Sequence, residues 1–357
     1  MTSSNHLPAT RVVVGIDTHR DEHVAVAIDW LGARLGEYRL STTPTGYEGL
    51  HRWAISLGEL VAFGIEGTGS YGAGLARHLA GRGRTVIEVN RPDRSTRRRL
   101  GKSDPIDAEM AARAVLAGVA KDSPKSGLDK VEMIRMLKIV KDSAIKARTQ
   151  AINQMKALIV TAPVELRHKL AGLSVRRLVV RCASFRPGEL VAPLAAAKHA
   201  LRLLARRHYQ LTSEIEGIDS ELFYLTTETA PALVDTFGVG PDTAATLLVT
   251  AGSNPERLRS EAAFAALCGV NPIPASSGRT NRHRLNHGGD RQANSALYRI
   301  VLVRLRYHEP TKEYMGRRMG EGMTKSEVIR CLKRYVARQI YPILRDMGRK
   351  NLALAAA

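Results

Sequence analysis

The sequence predicts three parts in chain order. They are an α/β N-terminal domain with a mixed sheet and flanking helices (residues 1–125), a long helical coiled-coil middle (126–230) and a mainly α-helical C-terminal domain (231–357). Three observations carry this reading. Short β-like runs alternate with helical segments over residues 11–120, which indicates a sheet with helices packed on it. Two stripes of apolar residues at heptad spacing run through the middle. Beyond Pro231 a glycine-rich turn leads into an apolar helix, and two basic helices follow.

In the first part, Val12–Ile16 and Val24–Ile28 are predicted as strands joined by a short turn at His19–Glu22, with Tyr38–Ser41 as a third strand. Gly46–Leu57 is expected to be helical, Val61–Ile65 a buried strand, Gly72–Gly81 a helix, Val86–Val89 a strand and Asp104–Ala117 a helix. A hairpin followed by β–α units makes the sheet mixed rather than wholly parallel.

In the middle, Leu137, Val140, Ala144, Ala147, Ala151 and Leu158 recur at heptad spacing, with Gln154 as the polar member. A cleaner stripe is formed by Leu201, Leu204, Leu211, Ile215, Ile218, Leu222 and Leu225, with His208 its only polar position. Pro163, Pro187 and Pro193 break the chain between them. Such stripes serve an intramolecular helical hairpin and an oligomer interface equally well. His208 reads as a solvated or register-setting position, not a metal ligand.

In the third part, Phe237-Gly238-Val239-Gly240-Pro241-Asp242-Thr243-Ala244 precedes the apolar helix Ala245–Thr250 and looks like a helix-hairpin-helix turn. Glycines permit a tight turn that presents backbone N–H groups to a phosphate, although such turns also serve as plain connectors. A small irregular segment is expected at Asn271–Gly289, and basic helices near Gln292–Tyr307 and Lys325–Leu344.

Composition narrows the partners. Lys and Arg number 54 against 34 Asp and Glu, a formal charge of +20, which favours a polyanion through counterion release. Cys182, Cys268 and Cys331 lie far apart, with neither zinc spacing nor a disulfide framework, which fits a reducing compartment. No apolar run is long enough to span a membrane and no signal peptide stands at the start, so a cytoplasmic protein with no membrane partner is expected.

Four carboxylates carry the chemistry. Asp17 ends the first β-like run, Glu66 ends another, and Asp104 and Asp107 stand where a helix should begin. Residues three apart on a helix share a face, and Pro105 suits a first turn. Carboxylates so placed can hold divalent ions, and a pair of Mg2+ ions about 4 Å apart serves phosphoryl transfer. Arg91, Arg94, Arg97, Arg98, Arg99 and Lys102 crowd the approach to Asp104 and are expected to hold a nucleic-acid backbone.

These motifs, Ile16-Asp17-Thr18-His19, Ile65-Glu66-Gly67-Thr68-Gly69-Ser70-Tyr71 and Lys102-Ser103-Asp104-Pro105-Ile106-Asp107-Ala108, resemble the N-terminal motifs of the DEDD transposases of bacterial insertion sequences. The stretches Leu267-Cys268-Gly269-Val270-Asn271-Pro272, Ser276-Ser277-Gly278-Arg279, Gly288-Gly289-Asp290-Arg291 and Ala296-Leu297-Tyr298 are similar to that family's second domain. The resemblance covers nearly the whole chain, in order. It implies an N-terminal domain of ribonuclease H-like type, akin to Holliday-junction resolvases. It implies a site of Asp17, Glu66, Asp104 and Asp107 holding Mg2+ ions, two per site. It also implies a nucleophilic serine in a Ser-Gly context, for which Ser277 is the best match and Ser276 the adjacent alternative. Arg279, Arg282, Arg284 and Arg291 are read with it as nucleic-acid contacts. The implied partners are donor and target double-stranded DNA, a structured guide RNA that pairs with both, and further copies of the chain in a homodimer or homotetramer.

Three rival readings stand beside it. A structure-specific endonuclease would need the carboxylates and no serine. A phosphotransferase of the sugar-kinase and actin-like class would need glycine-rich nucleotide loops that are not evident. An architectural nucleic-acid-binding protein would need no carboxylates at all.

Overall fold

The computed structural model describes residues 10–89, 103–125, 127, 129–252, 258–276 and 283–356. The chain divides into two compact units, one of Met1–Asp129, Ala251–Ala263 and Arg345–Ala357, the other of Lys130–Thr250 and Phe264–Leu344.

The first unit is built on a sheet of β1 (Arg11–Thr18), β2 (Glu22–Asp29), β3 (Arg34–Ser41), β4 (Glu59–Glu66) and β5 (Val86–Val89), in the order β3-β2-β1-β4-β5. β1, β2 and β3 pair antiparallel, whereas β1–β4 and β4–β5 pair parallel, so the sheet is mixed as expected. Alternation along the strands gives it two buried faces. Val12, Val14, Ile16, Phe63 and Ile65 face Leu50 and Ala54 of α1 (Pro44–Ser56) and Leu75 and Leu79 of α2 (Ala73–Gly81). Val13, Val26 and Ile28 face Ala108 and Ala112 of α3 (Asp104–Leu116). Local chemistry fixes the helix starts. Thr43 caps α1 by accepting the Gly46 N–H at 3.1 Å, with Pro44 in the first turn.

The second unit is helical. Its long helices are α4 (Lys130–Thr161) and α7 (Pro193–Thr229), with the short α5 (Val164–Leu170) and α6 (Val175–Ala183) between them. The two long helices run antiparallel: Lys130 reaches Glu228, Lys141 reaches Asp219, and Met155 shares a core with Leu201. The Leu201–Leu225 stripe faces inward, with Leu201, Ile215, Leu222 and Leu225 buried and His208 half-buried. The α4 stripe differs from its expectation. Ala144 and Ala151 are buried, but Gln154 is exposed and Val140 is 48% exposed, while Lys138 and Lys141 are buried. The lysines can occupy the seam because carboxylates meet them there. Asp242 lies 2.8 Å from Lys138 and 2.7 Å from Lys141, and Asp219 lies 2.5 Å from Lys141.

The remaining elements are α8 (Pro231–Val234), α9 (Pro241–Ala251), α10 (Glu261–Leu267), β6 (Pro272–Pro274), β7 (His283–Leu285), α11 (Arg291–Tyr307), α12 (Glu309–Gly320) and α13 (Lys325–Ala356). β6 and β7 form a two-stranded hairpin inside the segment expected to be irregular. In the turn before α9, Gly238 takes a positive φ of 84° and the Gly240 N–H is donated to Thr243 Oγ1 at 3.0 Å. Among the described residues no helix is long and apolar enough to cross a membrane.

Candidate metal centre

Parallel pairing of β1 with β4 places Gly15 opposite Gly64 and Ile16 opposite Ile65. Asp17 and Glu66 follow, one at the end of each strand, on the same face of the sheet as the two glycines. That face is covered by α3. A Cβ on Gly15 would stand 2.0 Å from the Ala108 carbonyl oxygen and 2.2 Å from the Ala112 nitrogen. On Gly64 it would meet Val115 at 2.6 Å. The missing side chains let the helix backbone lie directly on the strands.

This docking points the first turn of α3 at the strand ends. Asp104 opens the helix, Pro105 follows, and Ser103 holds the N-cap position. Asp107 is 2% exposed and Asp17 8% exposed, while Asp104 and Glu66 are half-buried. The Thr18 hydroxyl donates to the Glu66 carbonyl at 2.8 Å and ties the two strand ends together. Gly67, with φ of 72°, then turns the chain away toward α2.

Burial pushes the Asp17 carboxyl above its ordinary value; His19 opposes the rise, and the charges of Asp107 and Asp104 add to it. A carboxylate crowded by like charge at a buried strand end is the environment that a divalent cation relieves. Among the described residues, Asp17, His19 and Asp104 each offer a donor atom within 4.8 Å of the other two and could together hold a divalent ion; the group does not include Glu66 or Asp107.

His19, which the sequence places at the start of a turn and at the end of the first motif without a role, joins the centre. His19 Nε2 lies 3.2 Å from Asp17 Oδ2 and 3.3 Å from Asp104 Oδ1, so its ring bridges a strand carboxylate and a helix carboxylate. Its position two residues after Asp17 was the available signal.

The other predicted residues fall elsewhere. Arg94, Arg97, Arg98, Arg99, Lys102, Ser277, Arg279 and Arg282 lie outside the described residues. Ser276 follows β6 and is exposed; Arg284 is exposed on β7, and Arg291 is exposed at the start of α11 behind the N-cap Asp290. The structure shows a further basic surface. On α6, Leu178, Val179 and Cys182 are buried whereas Arg176, Arg177 and Arg181 are exposed. Arg167, Lys169, Arg206 and Arg207 are exposed on the helices that share its core.

Two family models match the chain. One, described as a DEDD-type IS110 transposase, covers residues 14–162 and so contains Asp17, Glu66, Asp104 and Asp107. The other, described as the transposase IS116/IS110/IS902 family, covers residues 230–316 and contains the β6–β7 hairpin. A comparison with curated proteins found no match. Both models describe IS110-type transposases and match in succession along the chain, and the chain belongs to the IS110-type transposases of insertion sequences.

Proposed function

We propose that this transposase cuts and rejoins DNA by metal-dependent phosphoryl transfer at Asp17, Glu66, Asp104 and Asp107, with Ser277 as the nucleophile. The observation that carries the reading is the docking of α3 across Gly15 and Gly64, which brings helix-borne and strand-borne carboxylates to one end of the sheet. The strand order β3-β2-β1-β4-β5, with three antiparallel and two further parallel strands, supports a ribonuclease H-like type for this domain.

The carboxylates are suited to two Mg2+ ions, which when bound supply charge stabilisation to the attacking and leaving oxygens. The chain's own residues do the rest. Asp17 and Asp107, being buried, fix the geometry; Asp104 and Glu66, half-buried, reach toward the open side. Ser277 Oγ attacks a DNA phosphorus; the Oγ–P bond forms as a phosphodiester P–O bond breaks, and the serine proton ends on the departing sugar oxygen. Attack by the hydroxyl of a second strand reverses the step and frees the serine. The phosphoserine link conserves the bond energy between the two.

Exposed arginines on α6 and at the start of α11 suit the phosphate backbone. A structured RNA would supply sequence choice by base pairing with donor and target DNA. The long α4–α7 pair suits assembly into a dimer or tetramer.

The test has two parts. Asp17→Ala, Glu66→Ala, Asp104→Ala or Asp107→Ala is expected to abolish recombination while leaving nucleic-acid binding near normal. Full activity of the wild type in excess chelator would overturn the metal centre. In the second part, the reaction is trapped on nicked DNA and the digested protein examined by mass spectrometry. The nucleotide adduct is expected on Ser277. An adduct on Ser276 moves the assignment by one residue. Retained hydrolysis with no adduct after both serines are changed to Ala favours a structure-specific endonuclease that uses water.

A further inference from the structure

We infer that His19 is a direct ligand of the ion held by Asp17 and Asp104, so that this part of the centre offers mixed nitrogen and oxygen donors and takes Mn2+ in preference to Mg2+. The inference rests on the proposed metal centre and adds a residue to it.

The spacing, which also suits a direct ion pair, fits a shared ion. His19 Nε2 is 3.2 Å from Asp17 Oδ2 and 3.3 Å from Asp104 Oδ1, and one donor atom from each residue lies within 4.8 Å of the other two. Neighbouring donors of an octahedral ion with bonds of about 2.1 Å stand about 3 Å apart. The imidazole nitrogen therefore spans two such edges, with one carboxylate at each.

The turn that carries His19 is fixed from beneath. The His19 backbone N–H donates to His23 Nδ1 at 3.3 Å. His23 is fully buried on β2 and stacks on Tyr47 with ring centres 6.1 Å apart and planes 3° from parallel. Since Nδ1 accepts, the proton of a neutral His23 resides on Nε2, and the ring offers His19 a fixed acceptor. The His19 side chain itself is 50% exposed, so the turn that carries it lies at the surface, with Nε2 turned to the two carboxylates.

Ligand chemistry then sets the preference. Mg2+ demands oxygen donors and dehydrates reluctantly, whereas first-row transition ions accept imidazole. Replacing one oxygen position by Nε2 weakens the case for Mg2+ at this position and strengthens it for Mn2+.

The experiment uses the full chain with Mn2+ alone and reads the ion by pulsed electron paramagnetic resonance. Wild-type protein is expected to show the nitrogen coupling of a directly bound imidazole. His19→Ala is expected to lose that coupling and to bind Mn2+ about tenfold more weakly. Competition is the second readout: Mg2+ should displace Mn2+ more easily from His19→Ala than from the wild type. If Asp17→Asn and Asp104→Asn abolish Mn2+ binding but the wild type shows no nitrogen coupling, or His19→Ala keeps it, the ligand assignment is wrong and the metal centre stands. If Mn2+ binding is unaffected by Asp17→Asn and Asp104→Asn, both readings fall.

Discussion

Gly15 and Gly64 face each other across the parallel β1–β4 pair, and each stands two residues before a carboxylate of the candidate centre. The backbone of α3 fills the space that a side chain on Gly15 would need, and the Val115 side chain of α3 fills that of one on Gly64.

Gly15→Ala is therefore expected to push α3 off the sheet. The atoms that a Cβ would meet are backbone, at 2.0 and 2.2 Å, and have no rotamer by which to retreat. Overpacking of this kind costs about 3 kcal/mol. Urea unfolding measures the loss, and Gly81→Ala, where nothing lies within 4 Å, is the control expected to change little. A Gly15→Ala protein as stable as the wild type would show that the helix does not lie this close.

Asp242 makes a pH prediction. Burial alone would raise its carboxyl, but hydrogen bonds from Lys138 and Lys141, and their charges, outweigh burial and hold it well below the ordinary carboxylate range. Arg299 adds a third cation at 2.8 Å. A depressed folded value means that stability is fully present above the unfolded value, near pH 4, and is lost as pH falls through the folded one. Asp242→Asn should remove part of the acid sensitivity of unfolding. At neutral pH it should cost about 3 kcal/mol, since two buried lysines lose a shared carboxylate. Equal pH dependence in the two proteins would contradict the pairing.

Along the α4–α7 seam, Leu222 is 0% exposed. Leu222→Ala should destabilise the second unit by about 3 kcal/mol through the cavity it leaves. Val140→Ala, at a position 48% exposed, should cost little. Thermal unfolding of the two variants side by side tests whether Leu222 of α7 is packed while Val140 of α4 faces outward, and equal losses would contradict the seam described above.

The exposed arginines of α6 predict a salt-dependent defect. Arg176→Glu, Arg177→Glu and Arg181→Glu together leave Leu178, Val179 and Cys182 in place, so the fold should persist. Nucleic-acid affinity should fall, and the slope of log affinity against log salt should shrink by about 2–3 if each arginine neutralises a phosphate. An unchanged slope would place the phosphates elsewhere.

Much of the fold was legible because its signals are local. The strands of the first unit are short apolar runs ending in turns, and β5 spans the very residues the pattern marked, Val86–Val89. The placement of Asp17 and Glu66 at strand ends and of Asp104 at a helix start was legible because such ends can be read without knowing what packs between them. What escaped needed the third dimension. Lys138 and Lys141 look like surface residues until Asp242, a hundred residues away in sequence, comes to meet them. Val140, apolar but exposed, entered the stripe by its spacing alone. The hairpin strands Pro272–Pro274 and His283–Leu285 are too short to show alternation. His19 stands two residues after Asp17, but that spacing alone does not show that Asp104 lies 3.3 Å from its ring.

The face of α3 that packs on the sheet is also the face that bears the carboxylates. Asp104, Ala108 and Ala112 fall in one row along the helix and Asp107, Ala111 and Val115 in the next, each step being four residues. Ala108, Ala111 and Ala112 are all buried. The centre thus behaves as a gauge set from a distance. The gap between helix-borne and strand-borne oxygens is fixed one and two turns away, by small residues that meet neither an ion nor a phosphate, and a single added methyl there would reset it.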